Sequence, residues 1–436
     1  MGTMFPGGGR RSWDVIVAGC GPAGAVAGRE LARRGFSVLI LEEHREVGRP
    51  VQCAGLVTRR ALREVPAGGA VLRSLGEAEL ISPSGRRVRI GGGGERAVVI
   101  DRAAYDKAAA EMAIDAGCEL WLGARVTALA PLRSSGLRRR RRGGGAPGEP
   151  PEAGRGAGDG MEDGESGLRL TVRRGGNLEE LEARAVVGAD GVQSIVRRFL
   201  GAPPPPEILP GFEAELTGVE DDGAVRVLFG REVAPGFFAW LIPSGERGAV
   251  LGLCCEPGPV PARMYLERLR RSPLLAPLIG RASVLRYMAG SVPLGTVSRT
   301  YGDGALLAGD AAGQVKPVTG GGLYTGTTCA RVAAECLAGA LERGDCSARA
   351  LAVYEKAWRR ELGRELRIGR MLRRAFVNVT DAQMDELLGA LDRPELLALV
   401  SARGDLDAPS ELAKLLFRQA PGLLKFAGPL VKSLFK

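Results

Sequence analysis

The sequence predicts an α/β protein in three parts: a doubly wound, mostly parallel sheet assembled from separated stretches of chain, an antiparallel sheet inserted into it, and a helical C-terminal region. Three observations carry this reading. A short apolar run, a glycine-rich turn, a helical pattern and a second apolar run follow one another between Asp14 and Glu42, the signature of a βαβ unit with a buried sheet. Four β-like runs then succeed each other between Phe212 and Cys255 with no helical pattern between them, which is antiparallel order. Beyond residue 346 only helical periodicity is left.

In order along the chain, Asp14–Ala18 reads as a buried strand, Ala23–Arg34 as a helix stopped by Gly35, and Ser37–Glu42 as the next strand. Glu79–Ile90 has the alternation of a hairpin turning at Ser84-Gly85. Arg102–Ala116 is a helix, with Asp101 as N-cap and Gly117 past its end. Glu119–Leu122, Arg125–Leu129 and Leu168–Val172 are strands. Between the last two, residues 134–167 are Gly/Pro-rich, with six Arg against six Asp/Glu. That composition cannot bury enough surface to order itself, and the segment reads as a disordered insertion. The runs FEAELTG, AVRVLFG, FFAWLIP and GAVLGLCC build the antiparallel sheet. Gly304–Gly309 is again a short buried strand, and a helix follows over about Leu323–Leu341. Residues 12–78, 97–133, 168–201 and 285–345 are grouped as a discontinuous nucleotide-binding domain. Residues 79–96 and 202–284 are grouped as a substrate (cap) domain, and 346–436 as the helical region.

Composition narrows the function. The 436 residues carry a formal charge of +10 and 45% apolar residues, enough for a large core. No stretch approaches the roughly 20 apolar residues of a membrane span, and Met1–Arg11 has no apolar signal core. A single histidine, His44, argues against His-based triads and most zinc sites. The eight cysteines form no Cys-x-x-Cys pair, so no metal site is expected, and most sit in apolar runs as reduced core residues.

Gly19-Cys-Gly21-Pro-Ala23-Gly24 stands between strand and helix, with Glu42 18 residues beyond Gly24. The glycines permit a tight turn and close approach of a pyrophosphate to a helix N-terminus, and the acid can accept from ribose hydroxyls. Two more segments complete the set: Ala185–Gly191 with Asp190, and Gly309-Asp310-Ala-Ala-Gly313 with Gly320-Gly321-Gly322. On these motifs the chain resembles the FAD-dependent flavoproteins of glutathione-reductase type, in the hydroxybenzoate-hydroxylase branch, over nearly its whole length outside 1–11 and 134–167. The resemblance implies a Rossmann-like FAD-binding domain. In it Asp310 meets the ribityl chain, and the Gly320-Gly321-Gly322-Leu323 backbone lies at the pyrimidine end of the flavin. Arg102 faces the cofactor, and the Val126 backbone lies near the adenine. Read without it, Asp310 is a helix N-cap and Arg102 a surface ion pair.

Three further features narrow the branch: Gly48-Arg-Pro50-Val-Gln-Cys53-Ala54-Gly55, Pro235-Gly-Phe-Phe238-Ala-Trp240-Leu-Ile242-Pro243, and Asp310 to Gly322. Together they resemble the geranylgeranyl reductase family, especially the archaeal enzymes that saturate the isoprenoid chains of ether lipids. That family has Pro-x-x-Cys before glycines and a Tyr-x-Trp-x-Phe-Pro strand. Here Cys53, Trp240 and Pro243 are kept, while Phe238 stands for Tyr, Ile242 for Phe and Ala54 for the commoner Gly. The implied reaction is saturation of isoprenoid C=C bonds by hydride from flavin N5 plus a proton. Cys53, Ala54 and Gly55 would then lie beside the cofactor. Water, Cys53 and Tyr324 are the candidate proton sources, and a Cys53 that is merely small and cofactor-adjacent stays equally open. Phe238, Trp240 and Ile242 alternate on one strand face before Pro243, as a lipid wall or as ordinary sheet packing.

A flavin-dependent monooxygenase or halogenase is the rival within the fold, since Trp240-Leu-Ile-Pro243 overlaps the second half of the halogenase Gly-Trp-x-Trp-x-Ile-Pro pattern. A quinone-linked dehydrogenase would need cluster cysteines near the C-terminus, and Cys346 is the last. A basic, non-enzymatic membrane or nucleic-acid binder is the remaining alternative. Residues 356–374 hold eight Lys/Arg against two Glu, and 411–436 hold five against one. Cations among Leu, Phe and Val there suggest contact with anionic lipid, or a terminal helix with a solvated face. Aromatic residues do not interleave with the charge, so no nucleic-acid partner is expected. The expectation is a cytoplasmic protein, peripheral at the inner face of the membrane. Ferredoxin, F420 and NAD(P)H remain open as the external reductant.

Overall fold

The computed structural model describes residues 11–92, 94–132, 167–220 and 222–419. The expected disordered insertion, apart from Gly167, and the basic tail beyond residue 419 lie outside the described residues. Along the chain the elements are β1 (Ser12–Ala18), α1 (Pro22–Ala32), β2 (Val38–Glu42), β3 (Leu56–Val57), β4 (Val71–Leu75), β5 (Glu77–Ile81), β6 (Arg87–Gly91), β7 (Ala97–Ile100), α2 (Arg102–Asp115), β8 (Glu119–Leu122), β9 (Ala124–Pro131), β10 (Leu168–Arg174) and β11 (Asn177–Gly188). They continue with α3 (Ile195–Phe199), β12 (Glu207–Thr217), β13 (Ala224–Leu228), β14 (Ala239–Pro243), β15 (Gly248–Cys254), α4 (Ala262–Arg270), α5 (Ala276–Ile279), β16 (Ser283–Leu294), β17 (Tyr301–Gly302) and β18 (Ala305–Leu307). The helices α6 (Leu323–Glu342), α7 (Ala348–Val377), α8 (Asp381–Leu391), α9 (Pro394–Arg403) and α10 (Pro409–Gln419) follow.

The first sheet has eight strands in the order β17-β18-β11-β1-β2-β8, with β9 and β10 attached to β11 as an antiparallel meander. Its centre is parallel: β1 lies between β2 and β11, and β18 beside β11. Val15, Ile16 and Val17 are fully buried, because helices cover one face and the meander with α3 covers the other. Helices α1, α2, α6 and α7 share the first of these cores, with Tyr354 and Trp358 inside it. The central stretches of the parallel strands, Val15–Ala18, Val38–Leu41 and Ala185–Gly188, are therefore apolar, as the sequence suggested.

The second sheet has seven strands, β16-β12-β15-β14-β13-β5-β6. Helices α4 and α5 pack on its outer face. Its inner face meets a three-stranded sheet, β3-β7-β4, and the loop before it: Trp240, Ile242 and Val225 pack with Ala54, Leu56 and Val99. The sequence grouping needs one correction here. Residues 285–294 were placed with the nucleotide-binding segments, but they form β16, which is antiparallel to β12 from Ser283–Thr217 to Leu294–Glu207. A twelve-residue edge strand paired along its length belongs to the sheet whose ladder it completes. Helix α1 also stops at Ala32, before Gly35 takes its positive φ of 88°.

Candidate active site

The glycine turn comes first. Gly19 has φ +95°, and a Cβ on it would lie 2.4 Å from the Ala189 carbonyl oxygen. A Cβ on Gly24 would lie 1.9 Å from the carbonyl oxygen of Gly19. Both positions therefore exclude a side chain, whereas a Cβ on Gly21 would meet nothing within 4 Å. The open space lies at the start of α1, whose N-cap, Gly21, offers no side-chain acceptor. Free N–H groups and the positive end of the helix point there, an arrangement suited to phosphate. Glu42, at the end of β2, accepts from the Cys20 N–H at 2.9 Å and from the His44 N–H at 3.0 Å, and its other contact is His44 Nδ1 at 2.6 Å. Its carboxylate thus staples the turn.

The fold brings the distant motifs to this turn. A Cβ on Gly309 would approach the Ala23 methyl at 3.0 Å, and one on Gly322 would lie 3.1 Å from Asp310 Oδ1. Asp310 sits in a 3₁₀ turn, Gly309–Ala312, not at the N-cap of a helix. Burial pushes its carboxyl up to about 6, against the pull of the Arg102 charge. Helix α6 starts at Leu323 with Gly322 as N-cap and no side-chain cap, so a second helix N-terminus is open beside Asp310. Gly321 lies against the Lys316 side chain, 3.2 Å from Nζ to an ideal Cβ.

Several residues that sequence reasoning missed hold this loop. Gln314 is fully buried; its Oε1 accepts from Gly309 N–H at 2.9 Å, and its Nε2 donates to Tyr354 Oη at 3.1 Å. Tyr354 donates in turn to the Leu307 carbonyl at 2.8 Å. Lys316 pairs with buried Asp407 at 2.5 Å, and Thr58 Oγ1 donates to the same carboxylate. Gln314 meets Gly309 within one loop, but Tyr354, Thr58 and Asp407 come from remote parts of the chain, so no local motif joins these residues.

Arg102 is the electrostatic hub. It grips Asp106 with N···O distances of 3.1 and 3.2 Å. Burial alone would weaken its charge; the paired Asp106 carboxylate holds it protonated. The pair is largely buried, not the surface ion pair that was the alternative. Gly55 donates to Cys53 Sγ at 3.4 Å, and at φ +77° it packs its bare Cα against the Ile100 carbonyl. Above this loop stands the aromatic wall. Phe237 and Phe238 stack at 4.2 Å between centroids, Phe238 meets Trp240 edge-on at 6.0 Å, and Ile242 and Pro243 are buried beyond them. A Cβ on Gly320 would lie 3.4 Å from the Phe237 ring, so this wall begins at the turn before α6.

Three more sequence-named residues have contacts of their own. Asp190 uses one oxygen to cap α3, accepting from Ile195 at 2.7 Å and Val196 at 3.3 Å, while Oδ1 is buried without a partner. Val126 pairs with Val172 in the meander, its side chain in the core with Ala18 and Leu41. Tyr324 is half-buried near the start of α6, and burial with Asp407 nearby raises its phenol; its charged neighbours are Asp407, Arg60, Glu361 and Arg63, a different set from those around Cys53.

These residues fit a flavin dinucleotide. Two uncapped helix starts, a turn with open space over Gly21, and a desolvated Asp310 carboxyl beside Gly322 match its phosphates, sugar chain and isoalloxazine edge. Among the described residues no His/Cys/Asp/Glu cluster could hold a metal.

Comparison with known proteins agrees. Residues 12–207 match the family model described as FAD binding domain. The chain is 33% identical over 432 residues to digeranylgeranylglycerophospholipid reductase 2 of Methanopyrus kandleri, covering 96% of this chain and 100% of that protein. Its fold is similar to the solved structure of a geranylgeranyl bacteriochlorophyll reductase-like protein from Thermoplasma acidophilum, with a TM-score of 0.78 at 22% identity over 96% of this chain and 98% of the other. The flavin-dependent brominase Bmp2 shares the fold at a TM-score of 0.64 and 18% identity, over 95% and 99% of the two chains.

Proposed function

We infer the function from one premise: the chain belongs to the digeranylgeranylglycerophospholipid reductase family. It is an FAD-dependent oxidoreductase that reduces geranylgeranyl chains, and its substrate is an isoprenoid lipid. Bound and reduced, FAD supplies hydride to one carbon of a double bond. Everything else falls to the chain. In this proposal Gly19, Gly21, Ala23, Gly24 and Glu42 hold the adenosine and pyrophosphate, with Asp190 and Val126 on the adenosine side. Asp310 takes the ribityl hydroxyls. Gly321, Gly322 and Leu323, at the positive end of α6, favour the negative charge of the reduced ring. Arg102, Cys53, Ala54 and Gly55 close the substrate side, where Cys53 gates access. Tyr324 closes the α6 end.

The observation that supports lipid above other substrates is the wall of Phe237, Phe238, Trp240 and Ile242, which starts at Gly320 and ends on Ala54. An isolated alkene offers no polar handle, so an apolar, water-free wall beside the flavin is what its reduction needs. The likeness to a brominase is one of fold.

We also propose a peripheral membrane contact through the basic C-terminal segment. No helix of the described residues is long and apolar enough to cross a membrane.

The test is to incubate the flavin-loaded protein with dithionite and a digeranylgeranyl phospholipid. The expected product gains two hydrogens per double bond by mass. Yellow protein that leaves the lipid unchanged would overturn the reading.

A further inference from the structure

Glu213 is a buried acid that neither the nucleotide cradle nor an ion pair employs. It lies in β12 with only 7% of its surface exposed. Its position in the sheet is fixed by register. Glu213 lies opposite Gly252 of β15, and Gly252 lies opposite Trp240 of β14. Met288 of β16 flanks Glu213, and Val227 of β13 flanks Trp240. Residues directly opposite in a sheet point to one face, so Met288, Glu213, Gly252, Trp240 and Val227 form one row. That row is on the inner face, since Trp240 and Val227 pack against the cluster of Leu75, Val99, Val225 and Ile242 on which Ala54 also packs.

Gly252 makes the row unusual. A Cβ there would stand 2.6 Å from Trp240 Nε1 and 2.7 Å from Glu213 Cγ. The missing side chain leaves a slot in which the carboxyl and the indole meet, a typical reason for glycine inside a strand. Trp240 Nε1 is buried and has no partner at hydrogen-bond geometry. Its N–H is thus free to receive a carboxylate that forms beside it. The loop carrying Cys53 faces the same surface: a Cβ on Gly290, one pleat along β16 from Met288, would lie 3.3 Å from Gln52 Cβ.

The geometry points to Glu213 as the acid that protonates the isoprenoid double bond, with the Trp240 N–H placed to donate a hydrogen bond to the carboxylate that remains once the proton has left. The inference rests on the lipid-reductase reading. One C=C π bond breaks and two C–H bonds form. Hydride, with its electron pair, comes from the reduced flavin, which is left oxidised; the proton comes from the Glu213 carboxyl, which is left as carboxylate and regains a proton from solvent.

The charged surroundings agree. Burial pushes the Glu213 carboxyl up to about 7, while the Trp240 N–H and the Arg102 charge pull the other way. Arg102 faces it from α2, already engaged by Asp106. Cys53 from the loop and Cys254 from β15 complete the set; the Cys254 thiol is pushed up by burial and by Glu213. Glu215, on the same strand, is paired with Arg286 at 2.5 Å. An acid that is half protonated near neutral pH is well matched to proton donation.

The experiment compares flavin-loaded wild type, Glu213→Gln and Trp240→Phe, with flavin loading checked by visible absorbance and reduction by dithionite. Wild-type alkene reduction is expected to fall as pH rises past about 7. Glu213→Gln should keep reducible flavin yet slow alkene reduction by about 100- to 10,000-fold and lose that pH limb. Trp240→Phe should move the limb to higher pH, because the carboxylate loses its donor. A readout independent of turnover is the infrared difference spectrum between acid and alkaline protein, where wild type should show a protonated-carboxyl band that Glu213→Gln lacks. Glu213→Gln with wild-type rate and pH profile would overturn the inference while leaving the lipid reading intact, as would identical carboxyl bands in the two proteins. Reduced wild type that leaves the lipid untouched would overturn the lipid reading, and the proton role with it.

Discussion

Asp310 and Gly322 are in contact through a missing side chain: Asp310 Oδ1 lies 3.1 Å from the point where a Cβ of Gly322 would begin. Val315 Cγ2 stands at the same distance on the other side. Gly322→Ala therefore presses on the carboxyl proposed to hold the ribityl chain. Overpacking of this kind costs about 1–3 kcal/mol. A drop in FAD affinity of about tenfold is the expected result of a flavin-fluorescence titration, and the melting temperature at a given FAD concentration should be lower than wild type.

Gly24→Ala is a harsher change. Its Cβ would fall 1.9 Å from the Gly19 carbonyl, backbone against backbone, with no flexible side chain to yield. The purified variant is expected to be colourless and to melt several degrees lower, and absorbance with a thermal scan decides it.

Arg102→Met should be more damaging than Arg102→Lys. It strips the partner from Asp106, whose carboxyl is already raised by burial. Breaking such a largely buried pair costs about 3–5 kcal/mol. Lys keeps the charge but loses the two-armed grip. Urea unfolding of the three proteins gives the order, wild type above Lys above Met.

Glu213 and Asp310 sit at about 7 and about 6, above their ordinary values, because burial disfavours charge. Stability from a group raised in the folded state is fully present below its unfolded value and is lost as pH rises through its folded value. In the flavin-free protein each should therefore lose about 3 kcal/mol between pH about 4 and about 7. Glu213→Gln removes one of these losses. Its urea midpoint should match or fall below wild type at pH 4.5 and exceed it at pH 8.

Truncation after Ala408 removes α10 and the tail but leaves Asp407 in place. It breaks the Ser410–Glu365 and Glu411–Arg364 contacts, and Glu411 and Arg364 are exposed. Retained FAD with weaker sedimentation on anionic vesicles is the expected outcome. Unchanged binding would place any membrane contact elsewhere.

The sequence reveals the parts of this site that are local. Gly19 to Gly24 with Glu42 is a pattern whose spacing carries its own geometry, and Asp101 as a cap needs only the next helix turn. The structure places Asp101 accepting from Ala103 and Ala104 and brings Ala23 beside Gly309. Residues whose meaning lies in register stayed hidden. Glu213 reads as one more polar residue in an alternating strand until β12, β15 and β14 are aligned; the one sign was Gly252 inside an apolar run. Strand β16 was misgrouped because its run, SVLRYMAGSVPL, does not reveal which sheet edge it joins. Lys316 and Asp407 could not be matched, since nothing near either one in sequence names the other.

That last pair bears on how the protein is made. Thr58, Lys316 and Asp407 close around one another from three remote parts of the chain. During synthesis the glycine turn and the Asp310 loop leave the ribosome well before Asp407 does. A nascent polypeptide stalled short of that aspartate would leave the Lys316 ammonium without its counter-ion beside Gly321, so this closure forms only after nearly all of this sequence has been translated.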